Sequence, residues 1–194
     1  MENQTAPRKI GRPLSFDRDA ALHQAMLLFW RHGFEATSLA DLTAAMRVTP
    51  PSIYAAFGDK KGLFRAAVQR YCSGPVTSEA IIADAPTARD AAYNLMRAAA
   101  IGYTGADTPP GCLLATGAIS CSTNAADVQS ELAAIRCQIE ASLLARMTAE
   151  NLPYAPAIAA HVMAVIQGMS TLARDGAPRA RLLQVVDIAM RVWP

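Results

Sequence analysis

Two adjacent prolines, Pro50 and Pro51, constrain this chain more than any other feature, because they stand directly before an apolar-aromatic run, "SIYAAF", that Gly58 closes. Proline has no amide hydrogen and its ring clashes with a preceding helical turn, so a proline pair breaks a helix everywhere except in its first turn. There the amides have no intrahelical partner to lose, and the fixed φ of proline already suits a helix. The spacing therefore predicts a short helix that begins at the prolines, with Thr49 as its cap, and stops at Gly58. Ile53 and Phe57, four apart, point inward, which leaves Pro51, Ser52, Ala55 and Ala56 facing out.

The segments on either side fit the same periodicity. Asp17 is a candidate N-cap for a helix with Leu22, Ala25, Met26 and Phe29 on one face, and that helix stops at Gly33. Ser38 and Asp41 stand at capping-box spacing ahead of Leu39, Leu42 and Met46. Few residues separate Met46 from Thr49, so two short helices meet across a tight turn, a helix-turn-helix arrangement. A fourth helix begins at Lys60 and turns Leu63, Phe64, Ala67 and Val68 inward.

Beyond Tyr71 the pattern loosens between Ser73 and Pro86, the expected boundary. Helices are then predicted near Thr87–Tyr103, Cys112–Ser120, Asn124–Glu150, Pro156–Arg174 and Pro178–Val192, with Asn124 and Asp127 repeating the capping signal. No alternating strand pattern occurs, and a 52% hydrophobic, Ala- and Leu-rich composition favours helices. The fold class expected is all-α. Residues 1–14 form a flexible basic arm, 15–72 a helix-turn-helix head and 73–194 a helical body.

Charge divides along the same line. Through Arg70 there are ten Lys and Arg against six Asp and Glu, and the remainder carries eight against ten. A basic head on a mildly acidic body suits a polyanionic partner at one end. The start of the chain is polar and basic without an apolar signal core. Four cysteines lack paired spacing, so reduced thiols and a cytoplasmic location are expected. Asn151 to Ala173 contains no formal charge and is long enough to cross a membrane. Pro153, Pro156, His161, Gln167 and Gly168 interrupt it, and a buried helix is the expectation, with no membrane partner. His23, His32 and His161 are scattered, and neither a metal site nor a cofactor is expected. No nucleophile–base pair or phosphate loop can be assembled, so the chain is not read as an enzyme.

The segment "AALHQAMLLFWRHGFEATSLADLTAAMRVTPPSIYAAFGDKKGLF" resembles the head of tetracycline-repressor-type (TetR/AcrR) transcriptional regulators. Phe29, Gly33, Phe34, Thr37, Ser38, Leu42, Ile53, Tyr54, Phe57, Lys60, Leu63 and Phe64 fall at the spacing of that family. "GCLLATGAI" also looks like the body of one branch of it. The resemblance implies a homodimer whose heads enter successive major grooves of a palindromic double-stranded DNA operator, about one helical turn apart. It further implies a small-molecule inducer that enters the body and releases DNA, so that the protein acts as a repressor.

Roles for particular residues follow from the resemblance and from local chemistry. By the resemblance, Tyr54 gives its hydroxyl to a phosphate, and Lys60 joins helix-terminal amides on another. Thr37 and Ser38 offer hydroxyls at the start of the second helix. Thr49, Pro51 and Ser52 form the nose of the reading helix. That nose lacks Arg, Asn, Gln or Lys for bidentate base contacts, so either specificity is modest, or Arg47 and the arm residue Arg12 supply it, or DNA shape does. Lys61 is read as a solvated charge. In the body, Met96, Met147, Met163 and Met169 are either pocket lining or ordinary core, and Cys121 and Gln167 join the candidate ligand contacts. Cys112 and Cys121 are either inert buried thiols or a thiol switch. Ala157, Ala160, Ala164, Gly168 and Thr171 form a small-residue stripe, suited to a dimer interface with the helix ending near Glu150 or to packing within one subunit. Two other classes remain open at this level: a helical enzyme or carrier that merely contains the motif, and an interaction protein that has lost DNA binding.

Overall fold

A computed structural model describes residues 16–194, and the arm with Arg12 lies outside the described residues. Those residues form ten α-helices and two short 3-10 helices, with no strand among them. The all-α expectation holds.

Helix α1 (Arg18–Ala36) begins where Asp17 predicts, the carboxylate accepting from the amides of Asp19 at 3.0 Å and Ala20 at 3.1 Å. Its regular course is broken at Gly33, with φ 81° and ψ 171°, a region that only glycine enters readily. The regular helix therefore stops at Gly33 as the spacing predicts, and one further turn follows across the kink. Helix α2 (Leu39–Met46) starts with the full capping box, Ser38 Oγ accepting from the Asp41 amide and Asp41 accepting from the Ser38 amide. Arg47 ends it in the left-handed conformation at φ 55°.

Helix α3 (Pro50–Phe57) carries its prolines in the first turn and ends at Gly58. Thr49 occupies the cap position, but its hydroxyl does not cap; it pairs with Ser52 Oγ at 3.0 Å instead. With the prolines removing amides from the first turn, fewer donors are left there to cap. Helix α4 (Lys60–Cys72) is capped by Asp59. Gly62 is obligatory there, since a Cβ would sit 2.0 Å from the Phe57 carbonyl oxygen. Around these four helices Leu42, Ile53 and Leu63 are fully buried. Phe29, Phe34 and Phe64 meet edge to face across 5.0 and 5.2 Å.

The stretch after Cys72 holds a helix that periodicity does not announce, α5 (Ser78–Asp84), capped by Thr77. Helix α6 (Ala88–Gly102) and the one-turn α7 (Leu113–Thr116) follow. Helix α8 (Ala126–Ala149) is entered through a 3-10 turn at Thr123–Ala125, so Asn124 does not cap it. Asp127 is drawn to two cations of α4 instead. Helices α9 (Ala155–Arg174) and α10 (Arg179–Ala189) complete a bundle with α6 and α8. By length and composition α9 passes for a membrane span. One face of it, however, buries Ile158, Val162, Met163, Ile166 and Met169 within the bundle. The other face exposes all five residues of the small stripe, which excludes packing of that stripe inside one subunit.

Candidate nucleic-acid interface

The reading helix α3 is held from beneath by Ile53, which is fully buried, and from the side by Phe57, whose ring lies 4.7 Å from the Arg18 guanidinium. The opposite face is open: Thr49, Pro51, Tyr54 and Ala55 are exposed and Ser52 is half-buried. Tyr54 is 52% exposed, so its phenol reaches solvent at the rim of this face. Arg47 is exposed at the turn before α3. The structure therefore brings Arg47, Thr49, Pro51, Ser52 and Tyr54 together at one surface, and leaves that surface without a bidentate donor on the helix itself.

Two of the flanking candidates are placed otherwise. Thr37 is 1% exposed, and its hydroxyl donates to the Gly33 carbonyl at 2.7 Å. It therefore offers nothing to a phosphate, and the expectation for it is corrected. The break at Gly33 frees that carbonyl, and Thr37 is the nearest group able to satisfy it. Ser38 is exposed, but its hydroxyl both accepts from the Asp41 amide and donates to the Asp41 carboxylate at 2.6 Å. The bonds from Ser38 hold the Asp41 carboxyl below its usual range.

Lys60 stands at the first position of α4, its ammonium 4.5 Å from the centre of the Phe34 ring. Burial pushes its pKa down, and Glu35 pulls in the other direction. Lys61, read from sequence as a solvated charge, pairs with Asp127 of α8 at 2.7 Å. Arg65 bonds both Asp127 at 2.9 Å and Glu131 at 2.7 Å, and those carboxylates hold its guanidinium charged.

Sequence spacing gives no sign of the contacts that seat the head on the body. Phe34 N–H donates to the Gly117 carbonyl at 2.7 Å. Trp30 Nε1 donates to Gly111 O at 3.1 Å. Glu35 accepts from the Ser122 amide at 2.7 Å and hydroxyl at 2.8 Å, which lowers its pKa. Arg174, at the end of α9, donates to the carbonyls of Trp30 at 3.1 Å and Arg31 at 2.8 Å. These partners lie 81 to 144 positions apart in the chain, beyond any local periodicity.

Behind this junction the body encloses a cavity of about 940 Å³. Trp30, Phe64 and Tyr71 from the head form part of its wall, opposite Tyr103, Cys112 and Ile166. Met163 and Gln167 line it. Met96 and Met147 do not: they are 1% and 0% exposed, sealed within the bundle on inward helical positions. Met169 is likewise core. Cys121 lies outside the cavity wall, in the loop between α7 and α8 near Glu35. Cys112 is buried and accepts from the Tyr71 hydroxyl at 3.4 Å. No cluster of metal-ligating side chains occurs among the described residues.

Comparison with known proteins extends this picture. Residues 21–67 match the family model for bacterial regulatory proteins of the tetR family. The HTH-type transcriptional repressor BdcR of Escherichia coli (strain K12) is 28% identical over 91% of this chain and 88% of its own. A solved cysteine mutant of the TetR family transcriptional regulator CifR, complexed with 26bp double-strand operator DNA, superposes with a TM-score of 0.86. It is 36% identical over 95% of this chain and 100% of that one. The HTH-type transcriptional repressor ComR, also of Escherichia coli (strain K12), is 37% identical over 98% of this chain and 95% of its own. With an open reading helix, a capped supporting frame and likeness along nearly its whole length, the chain belongs to the tetR family of bacterial regulatory proteins, helix-turn-helix DNA-binding regulators of transcription.

Proposed function

We propose that this protein is a homodimeric repressor that grips a palindromic operator through α3 and is released when a small molecule fills the cavity of the body. The observation that carries this reading is the exposed face of α3, with Tyr54 and Arg47 at its rim and Lys60 at the start of the next helix. Backbone contacts position such a helix, and the nose residues touch base edges. Because Pro51 and Ala55 offer only methylene and methyl groups, thymine methyls and local DNA shape carry the discrimination. The operator complex of CifR supports the docking mode.

The outward stripe of α9, Ala157 to Thr171, allows close approach of a second copy and supplies the dimer seam. The cavity suits an effector of mainly apolar character, since aromatic and aliphatic side chains dominate its wall. Ligand entry there presses on Trp30, Phe64 and Tyr71, which belong to head helices.

The test begins with duplexes that the purified protein selects from a random pool, whose sequences will show whether the site is palindromic. Binding to a selected duplex should weaken as salt rises. Lys60→Ala should weaken it further and lower the slope of log affinity against log salt by about 1. Tyr54→Phe should weaken binding to all duplexes alike. A protein that selects no duplex, or variants that bind as the parent does, would remove this reading.

A further inference from the structure

We infer that Arg174 is a positioning residue for the DNA-binding head, acting on a backbone joint at Gly33 that the head and body share. The inference rests on the operator-binding reading above. In an uninterrupted α-helix the Phe34 N–H would donate to the Trp30 carbonyl, four residues back. Gly33, at φ 81° and ψ 171°, turns that N–H away, and it donates to the Gly117 carbonyl at 2.7 Å. The Trp30 carbonyl left behind accepts from Arg174 Nη1 at 3.1 Å. Both ends of one broken helical bond are thus completed by the body, one by the residue after α7 and one by the last residue of α9.

In the spliced arrangement seen here, Phe34 N–H has the Gly117 carbonyl and the Trp30 carbonyl has Arg174, so no backbone group of the break is left without a partner. A straight α1 would return the Phe34 N–H to Trp30, but it would strip the buried Gly117 carbonyl of its donor and pull the Phe34 ring from Phe29 and Phe64. The body therefore fixes the break, and losing Arg174 loosens it.

Each side of the joint touches a functional part. On the body side Arg174 also bonds Thr116 Oγ1 at 3.1 Å, which ties it to α7, whose Leu114 and Ala115 line the cavity. On the head side the Phe34 ring lies beneath the Lys60 ammonium at 4.5 Å. A shift of α7 by an occupant of the cavity therefore has a route through Gly117 and Phe34 to the residue that begins α4. Arg174 holds the spliced arrangement without touching the reading face.

The experiment compares wild type, Arg174→Ala, Arg174→Lys and Gly33→Ala as full chains on a duplex selected by wild type, at a temperature where each is folded by circular dichroism. Arg174→Ala should bind about tenfold more weakly. Its salt slope should match that of wild type, because the number of phosphate contacts in the bound state is unchanged. Arg174→Lys, which keeps the charge and one donor direction, should recover part of the loss. Gly33→Ala should lose at least as much as Arg174→Ala, since alanine is strained at φ 81° and its Cβ would stand 3.3 Å from the Gly117 carbonyl oxygen. Amide exchange in the 30–37 segment should quicken in Arg174→Ala while α6 keeps its protection. If folded Arg174→Ala binds as wild type does, or if its loss comes with a lowered salt slope, the joint is not what sets the grip. Should Arg174→Ala fail to fold, the same two outcomes are read from Arg174→Lys. If wild type itself selects no duplex, the operator reading fails and this inference falls with it.

Discussion

The head and the body contain comparable helices but are filled differently. In the head, Phe29 and Phe64 are completely buried and Phe34 nearly so, with Phe64 locked edge to face against both of the others where α1 meets α4. In the body, α6, α8 and α9 border about 940 Å³ of unfilled volume, which Trp30, Phe64 and Tyr71 of the head flank on one side. Close packing makes the head move as one piece, because a jigsaw of rings cannot deform without losing many contacts at once. The body, by contrast, has a wall that can move inward or outward when an occupant changes. A solid reader on a hollow sensor is the division of labour that this difference teaches.

The largest effects should come from breaking the solid half. Phe29→Ala should cost about 3–5 kcal/mol in chemical denaturation, since the surrounding rings cannot collapse into the space. Ile135→Ala, on the cavity wall and only partly buried, should cost roughly 1–2 kcal/mol, because that side chain already borders empty space. Equal losses would mean that the head is no better packed than the body.

Next in size is the frame of the reading unit. Ser38→Ala removes the acceptor for the Asp41 amide and should cost about 1 kcal/mol. Thermal unfolding followed by circular dichroism checks this; a change confined to DNA affinity, with stability intact, would instead make Ser38 a phosphate contact.

This frame was also the part most open to reading from sequence. Caps, proline placement and i, i+4 spacing are local, so Asp17, Ser38, the Pro50–Pro51 start and the buried Leu42 and Ile53 could all be named before any coordinates. Local rules failed where long-range partners compete. Thr37 looks like a free hydroxyl until the Gly33 carbonyl is seen waiting for it. Asn124 looks like a cap until Asp127 is found reaching for Lys61 and Arg65. Met96 and Met147 share the helical period of a pocket wall and of a core, and only the bundle geometry separates them from Met163. Helix α5 escaped because its seven residues are too few to establish a period. Arg174, one arginine among many, carries no local signal at all.

The smallest effect concerns acid. Glu35, Asp41 and Asp127 each have a folded pKa below the ordinary 4.5 or 3.8, because hydrogen bonds to Ser122, Ser38 and Lys61 favour their charged forms. The stability they add is present above those ordinary values and is lost as pH falls through the lower folded ones. Glu35 and Asp127 both bridge head and body. Lowering the pH from about 6 to about 3 should therefore loosen the junction before either unit melts. Hydrogen exchange at Ser122 and in α4 would register this first, and uniform loss of protection across the chain would contradict it.

Gly62 brings α3 and α4 to backbone contact, with the Phe57 carbonyl where any side chain would have to go. Two rods welded at that point cannot slip along each other. An altered half-site spacing can then be met only by tilting the welded pair as a whole, and the tolerance of the protein for mis-spaced sites is set by its hinges rather than by the suppleness of its fingers.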